Sequence, residues 1–162
     1  MKLRFLILFT LILVLVIPTL APATAHAEIR KTEQADGQVL YQSRHQLQDQ
    51  EGQSWQVVLF KREQENTENP LNLRLVGFPG QATVAHPQPL VLESKRQAWQ
   101  AQDLFATESP APNVGQYNLG EVISQLSQQN NLLLKIPQTN GEETILKVPG
   151  VIILEWKIVA GN

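Results

Sequence analysis

The stretch VLYQSRHQLQDQEGQSWQVVLFKR, residues 39–62, decides the fold. In its first half apolar and polar side chains partly alternate: Val39, Tyr41 and Leu47 fall on one parity, and polar residues, mostly glutamines, fall on the other. The polar turn DQEG at residues 49–52 follows, and then the apolar run SWQVVLFKR. Because a period of two is the spacing of a strand with one buried face, two such runs around a short turn predict a β-hairpin.

Further short strands are predicted downstream of this hairpin. Leu71, Leu73 and Leu75 alternate with polar residues in NPLNLRLVG, which predicts a third strand. Similar runs predict strands at residues 82–85, 90–94, 97–101, 132–136, 144–148 and 151–159. Polar or proline-rich segments at residues 63–70 and 103–117 are predicted to be loops.

The predicted strand at residues 151–159 is expected to be central or well covered. Its apolar side chains Ile152, Leu154, Trp156 and Ile158 would share one face of the strand. Its two charged side chains, Glu155 and Lys157, would share the other face.

One helix is predicted, over about residues 119–129. Asn118 can cap it, and the apolar residues Leu119, Val122, Ile123 and Leu126 follow at i, i+3, i+4 and i+7. Together these elements predict a mainly β fold, an antiparallel sandwich or barrel of about eight or nine short strands with this one α-helix. The helix would cover an open end or edge of the sheet.

The N-terminus predicts an export signal. Two basic residues precede the unbroken apolar run FLILFTLILVLVI at residues 5–17, and A-H-A at residues 25–27 has the form of a cleavage site. The run is short for a permanent membrane anchor, which needs about 20 apolar residues. We therefore expect a signal peptide at residues 1–27, cleaved after Ala27, and a single β-rich domain at residues 28–162. No membrane anchor is expected to remain after cleavage.

The composition of the mature chain excludes several classes of site. The absence of cysteine rules out disulfides, thiolate metal sites, cysteine nucleophiles and a lipid-bearing N-terminal cysteine. Loss of Lys2 and Arg4 reduces the 13 basic residues to 11, against 15 acidic residues, so the formal charge becomes −4. Since the charges are interspersed and no basic block exists, nucleic-acid binding is not expected.

Residues with catalytic or metal-binding potential are few and scattered. The mature chain keeps two histidines, His45 and His86, separated by 41 positions and without the close spacing of zinc ligands. His45 shares the parity of Tyr41 and Leu47, which favours a partly buried histidine on the core face. Nucleophile elbows and phosphate-binding loops are absent. No catalytic residue, metal or cofactor is therefore predicted.

The central stretch LRLVGFPGQATVAHPQPLVL, residues 73–92, admits a structural and a functional interpretation. Gly77 and Gly80 bracket Phe78-Pro79, which is typical of a sharp turn between strands, and the proline-rich segment HPQP at residues 86–89 favours an extended conformation. The structural interpretation is a turn and an edge segment. The functional interpretation is a rigid exposed rim that contacts a partner.

The chain also resembles a known family. The series GQVLYQSRHQLQDQEGQSWQVVLFKR, LNLRLVGFPG, HPQPL, NVGQYNL and a closing ILEW is similar to small secreted proteins from cyanobacteria that are classed as a domain of unknown function. The resemblance spans residues 37–156. It implies a cyanobacterial exported protein of the periplasm or thylakoid lumen, and it implies no activity, cofactor or catalytic residue. It marks residues 77–80, 86–90 and 113–119 as characteristic segments.

These observations lead to a hypothesis of a non-catalytic accessory or interaction protein of the lumen or periplasm. It would present a loop face to a membrane-bound complex, with a photosynthetic complex as the natural candidate. The candidate interaction surface consists of Phe78, Pro79, His86, Phe105, Asn113 and Tyr117.

Two alternatives remain open from the sequence. The first is a carrier of a lipophilic ligand, held in a barrel interior lined by Trp55, Leu73 and Trp156. The second is a hydrolase with a dispersed carboxylate or histidine site, for which His45 and His86 are the best candidates.

Overall fold

The computed structural model describes residues 29–34, 38–63, 69–128 and 130–161. In these ranges the chain forms nine antiparallel strands and one α-helix, so the predicted mainly β architecture is confirmed. The elements are β1 (Ile29–Glu33), β2 (Val39–Gln48), β3 (Ser54–Glu63), β4 (Leu71–Val76), β5 (Leu90–Glu93), β6 (Ala98–Asp103), β7 (Val114–Asn118), β8 (Leu132–Pro137), β9 (Glu143–Val148) and α1 (Gly150–Gly161). The predicted signal peptide and most of the predicted loop at residues 63–70 lie outside the described residues.

The strands form a single curled sheet in the order β1-β2-β3-β4-β7-β6-β5-β8-β9. This sheet is not closed into a barrel, because β1 and β9 stand at its two ends. One buried cluster nevertheless contains Leu59 and Leu73 from β3 and β4 together with Leu92, Leu134 and Leu146 from β5, β8 and β9. The two halves of the sheet therefore bend toward each other, and the core lies on the concave face.

The predicted hairpin is confirmed. Strands β2 and β3 pair from Val39↔Glu63 to Gln48↔Ser54, so that Ser43 and His45 of β2 face the core. Asp49 holds the turn: its Oδ1 accepts the backbone N–H groups of Glu51 and Gln53, each at 2.9 Å. Its Oδ2 accepts the indole N–H of Trp55 at 3.0 Å, which ties the turn to the core.

The turn of this hairpin also reaches the far edge of the sheet. Asp49 forms an isolated antiparallel bridge with Leu146 of β9. The side chain of Gln50 lies along the same strand: its Oε1 accepts the N–H of Ile145 at 3.0 Å, and its Nε2 donates to the carbonyl of Glu143 at 3.5 Å. The Gln50 amide therefore takes the place of a neighbouring strand at part of the β9 edge.

The prediction of a strand at residues 151–159 was wrong, because this segment forms α1. Ile152, Trp156 and Val159, at i, i+4 and i+7, are buried on the helix face that meets the sheet. In such an apolar run, a period of two and a period of 3.6 both produce an apolar face, so periodicity does not distinguish strand from helix. Pro149 before the helix supports the helical start, since proline is well placed at the beginning of a helix.

The prediction of a helix over about residues 119–129 was also wrong. The segment forms only a 3₁₀ turn, Ile123–Gln125, after which Leu126 is extended; Gln129 lies outside the described residues. The Asn118 carboxamide accepts the N–H of Gly120 at 2.9 Å in a local turn. The predicted apolar face, Leu119, Val122, Ile123 and Leu126, is nevertheless buried, because an irregular chain can bury the same side chains.

Three shorter segments also differ from the sequence predictions. The segment predicted as a strand at residues 82–85 makes only the isolated bridge Val84↔Gln138. The loop predicted for residues 103–117 ends earlier, since β7 begins at Val114 and pairs with both β4 and β6. Strand β1 was not predicted, because its five residues IRKTE show no apolar face.

Candidate functional site

The turn at residues 77–80 is built by its glycines. Gly77 is buried against Trp55: an added Cβ would lie 2.9 Å from that ring and 2.5 Å from the Cβ of Ala82. Gly80 has a φ of 79°, which favours glycine. The result is that Phe78 projects outward with 58% of its surface exposed, and Pro79 is exposed beside it.

Asn113 secures this turn from within. It is buried, and its Nδ2 donates to the carbonyl of Gly77 at 2.7 Å, while its own carbonyl accepts the Gly77 N–H at 2.9 Å. Asn113 therefore contacts the turn that carries Phe78, another residue of the candidate surface. It supports this turn from the buried side. It does not contribute to the exposed surface.

His86 lies in a closed polar arrangement. Its Nδ1 is 2.7 Å from Oδ2 of Asp103, and its Nε2 is 3.3 Å from the carbonyl oxygen of Val114. The other carboxylate oxygen of Asp103 accepts the N–H of Phe105 at 2.9 Å. The half-buried Phe105 ring packs edge-on at 6.5 Å from the His86 ring. Because both ring nitrogens already contact oxygen acceptors, His86 offers no nitrogen to a metal or a substrate.

Tyr117 is fully buried in the core. Its ring covers Gly115, where an added Cβ would lie 2.8 Å from the Tyr117 hydroxyl oxygen. That hydroxyl has no hydrogen-bond partner among the described residues. Burial, and then the negative charge of Asp103, raise the pKa of Tyr117 above its usual value. Of the six candidate residues, Phe78 and Pro79 are therefore the two that lie exposed at the surface.

A second polar cluster, which the sequence analysis did not predict, lies between β2 and α1. Oε2 of Glu155 lies 2.7 Å from Nε2 of His45 and accepts the hydroxyl of Ser43 at 3.1 Å. The Ser43 hydroxyl also lies 2.9 Å from the same histidine nitrogen. The side chains of His45 and Glu155 are 10% and 7% exposed, and Ser43 is completely buried. The prediction that His45 is a partly buried core-face residue is confirmed.

This cluster contains serine, histidine and a carboxylate, but its geometry is not that of a hydrolytic triad. In a triad the carboxylate binds one histidine nitrogen and the serine binds the other, so that a proton passes across the ring. Here Ser43 and Glu155 both contact Nε2 of His45, and the serine donates to the carboxylate. The arrangement fixes the helix to the sheet through a buried polar network.

The structure also describes the residues on which the two alternatives, the lipophilic-ligand carrier and the hydrolase, were based. Trp55, Leu73 and Trp156 are each at most 1% exposed and pack within one core cluster, and the sheet around them is not a closed barrel. Among the described residues there is no group of three or more histidine, aspartate or glutamate side chains arranged to hold a metal ion. His45 and His86 lie in separate, internally bonded clusters.

An exposed apolar stripe runs along the outer side of α1. The stripe consists of Val151, Leu154 and Ile158, which are 61%, 43% and 48% exposed. Of the two charged side chains of α1, Glu155 is buried, and Lys157, three residues after Leu154, is half-buried beside the stripe. In the described part of the chain, no helix combines the length and the apolar character needed to cross a membrane.

A polar groove lies beside the start of α1. Two cavities of about 510 and 700 Å³ share Ser94, Lys95, Asn130 and Asn131 as lining residues. The smaller cavity extends to Trp99 and Gln125, and the larger one extends to Gly150 and Val151. The two adjoining cavities lie between the β5–β6 turn and the segment that enters β8, and together they are here called the polar groove.

Comparison with known proteins identifies the family. A family model described as "Protein of unknown function (DUF3122)" matches residues 27–159. The chain belongs to the DUF3122 family. The matched range includes all nine strands, both polar clusters, the outer stripe and the polar groove. No curated protein and no solved structure matches the chain.

Proposed function

We propose that this DUF3122 protein is an exported, non-catalytic accessory protein that binds a membrane-bound partner protein through the outer stripe of α1. The observation that carries the proposal is the exposure of Val151, Leu154 and Ile158 on one side of a helix whose other side is buried in the core. Apolar side chains at i, i+3 and i+7 are the anchors by which a helix binds an apolar groove on another protein.

The charge beside the stripe favours a partner protein with acidic residues around its binding groove. Lys157 borders the stripe, and the carboxylate of Glu155 is turned into the core, so the face is apolar with a cationic margin. An apolar groove with an acidic rim complements this face. A second copy of the chain complements it less well, because it would present another Lys157.

The compartment and the class of complex rest on the sequence. The apolar run at residues 5–17 and the A-x-A site at residues 25–27 support export to the periplasm or thylakoid lumen. The resemblance to secreted cyanobacterial proteins makes a photosynthetic membrane complex the first partner to test. If export proceeds as proposed, mass spectrometry of the native protein finds Glu28 as its first residue. An intact N-terminus on the native protein would contradict export by cleavage.

The docking proposal is tested with two matched variants of the tagged mature protein. Leu154→Ser with Ile158→Ser replaces two of the three apolar side chains of the stripe by hydroxyl groups. Phe78→Ser removes an even more exposed apolar side chain from the candidate loop surface. Thermal unfolding first establishes that both variants are folded. We expect the stripe variant to lose co-purification with one defined complex from detergent-solubilised membranes, and the Phe78 variant to retain it.

Three other outcomes would overturn this proposal. Loss of association only in the Phe78 variant would place the contact at the loop surface. Self-association of the purified protein, measured by light scattering and abolished in the stripe variant, would make a second copy the occupant. Flotation of the purified protein with protein-free lipid vesicles, abolished in the same variant, would make the lipid surface the occupant.

A further inference from the structure

The polar groove carries a second inference, which does not use Leu154 or Ile158 of the outer stripe; Val151 is the residue that the groove and the stripe share. Each of its two cavities, at about 510 and 700 Å³, has a volume in the range of small-ligand sites. Because the two cavities share four lining residues, they adjoin each other, and together they offer room for a ligand longer than either cavity holds alone.

Trp99 supplies a fixed aromatic surface at one end of the groove. Its indole N–H donates to Oε1 of Gln125 at 3.0 Å, and the Gln125 Nε2 donates to the carbonyl of Glu121 at 3.1 Å. The Trp99 ring is half-buried and packs against the core cluster. The orientation of the ring is therefore set before any ligand arrives. The electron-rich face of such a ring attracts the C–H groups of a sugar.

The remaining lining is rich in side-chain amides. Gln97, Asn130 and Asn131 line the groove, and their side chains make no hydrogen bond within the described residues. Each carboxamide both donates and accepts hydrogen bonds. A ligand hydroxyl does the same, so neighbouring hydroxyl groups on a sugar match this lining better than a hydrocarbon or a simple ion does.

The charge of the groove is positive although the mature chain is acidic. Lys95 and Arg96 are exposed in the β5–β6 turn, and neither has an ion-pair partner in the described part of the chain. Glu93 lines the larger cavity, but its carboxylate pairs with Lys135 at 2.5 Å. The two cations therefore favour a ligand with an anionic group. A pair of cations is too few to follow a nucleic-acid backbone.

We propose that the polar groove binds an acidic oligosaccharide. A sugar ring stacks on Trp99, the amides of Gln97, Asn130 and Asn131 bind its hydroxyl groups, and a carboxylate or sulfate group on the chain lies at Lys95 and Arg96. No covalent step is involved. The protein acts as a receptor for the saccharide.

Fluorescence of the intact mature protein tests this proposal directly. The chain has three tryptophans, of which Trp55 and Trp156 are fully buried and Trp99 is half-buried, so acrylamide quenching reports mainly on Trp99. The probes are an oligogalacturonate hexamer, a sulfated oligosaccharide, the neutral maltohexaose and a thymidine hexanucleotide. We expect an acidic sugar to protect Trp99 from quenching and to bind in calorimetry, with an affinity that falls as salt rises.

Variants separate the contributions of the cations and of the side-chain amides to saccharide binding. Lys95→Ala with Arg96→Ala is expected to weaken binding by about tenfold or more, whereas Lys147→Ala, a change at an exposed lysine on β9, leaves it unchanged. Asn131→Ala is expected to weaken binding of acidic and neutral sugars alike. The stripe variant of Leu154 and Ile158 keeps full saccharide binding, so this proposal and the docking proposal fail or succeed separately.

The proposal is overturned by any of three results. Equal binding of the neutral hexamer would remove the role of the cations, and preferred binding of the hexanucleotide would replace the saccharide by a nucleic acid. Absence of binding by both acidic probes at millimolar concentration would show that the groove is not a saccharide site.

Discussion

Replacement of Glu155 by glutamine tests whether the buried polar cluster holds α1 on the sheet. The carboxylate oxygen Oε2 contacts both Nε2 of His45 and the hydroxyl of Ser43, at 2.7 and 3.1 Å. Its other oxygen, Oε1, is buried without a hydrogen-bond partner among the described residues. A glutamine has the same shape, but it removes the negative charge and places an N–H₂ group where an oxygen had been.

The expected magnitude follows from these contacts. In one orientation the amide oxygen keeps the contacts of Oε2 and the N–H₂ group is buried without an acceptor; in the other orientation the two partners lose their acceptor. Leaving a buried polar group without a partner costs about 1–3 kcal/mol, so we expect Glu155→Gln to lower the free energy of unfolding by that amount. Glu155→Ala, which also breaks the pairing with His45, is expected to cost about 3–5 kcal/mol.

Urea unfolding of the mature protein, followed by tryptophan fluorescence and extrapolated to water, measures both losses. Glu121→Gln is the matched control, because Glu121 is exposed and its side chain makes no hydrogen bond within the described residues. Its effect is expected to lie within about 0.5 kcal/mol of zero. A Glu155→Gln protein as stable as the unmodified one, or more stable, would refute the reasoning. The free-energy cost of burying the carboxylate would then equal or exceed the stabilisation from its contacts with His45 and Ser43.

Two further predictions concern Tyr117 and Gly150. Because the pKa of Tyr117 is raised in the folded protein, only the unfolded chain releases this proton as the pH rises through about 10. The free energy of unfolding therefore falls above that pH, with a slope that approaches about 1.4 kcal/mol per pH unit. Urea unfolding between pH 9 and 11 detects this slope, and a Tyr117→Phe protein that keeps the same slope would contradict the assignment. Gly150→Ala places a Cβ 2.1 Å from the backbone carbonyl oxygen of Gln128 and is expected to cost about 1–3 kcal/mol. Gly161→Ala serves as its control in the same unfolding assay, because an added Cβ there meets no atom of a more distant described residue within 4 Å. Equal stability of the two variants would show that the backbone at the β9–α1 junction shifts to accommodate the Cβ at Gly150.

The fold could be predicted where local pattern and turn chemistry agree. The alternation around the turn at residues 49–52 identified the β2–β3 hairpin and placed His45 on the core face, and both are confirmed. At α1 the local pattern was ambiguous, because apolar residues occupy both parities. The choice between strand and helix therefore depends on tertiary packing, which no short window of sequence contains.

The error at α1 also hid the most informative surface features. In a strand, Glu155 and Lys157 share an exposed face and Leu154 is buried with Trp156. In the helix, Glu155 and Trp156 are buried and Leu154 is exposed. The buried polar cluster and the outer stripe both exist because this segment is a helix, with a period of 3.6 residues, and not a strand, with a period of two.

The polar groove could not be predicted from the sequence for a different reason. Its residues come from the β5–β6 turn, from the segment before β8 and from the start of α1, and none of these segments carries a recognisable motif. The candidate residues Asn113 and Tyr117 were likewise expected at the surface because they lie in the predicted loop at residues 103–117. Their burial depends on β7, which is placed between β4 and β6 by long-range pairing.

The contact of Gln50 with β9 has a consequence for how these molecules can aggregate. A terminal strand with unoccupied N–H and C=O groups is a template onto which another molecule adds its own strand. The Gln50 amide occupies such groups at Ile145 and Glu143 of β9, and Asp49 bridges to the same strand. Polymerisation into an open fibre needs an accessible edge at both ends of the sheet, and the β2–β3 turn covers part of the β9 edge. Edge-to-edge association through β1 can therefore stop at a pair of molecules.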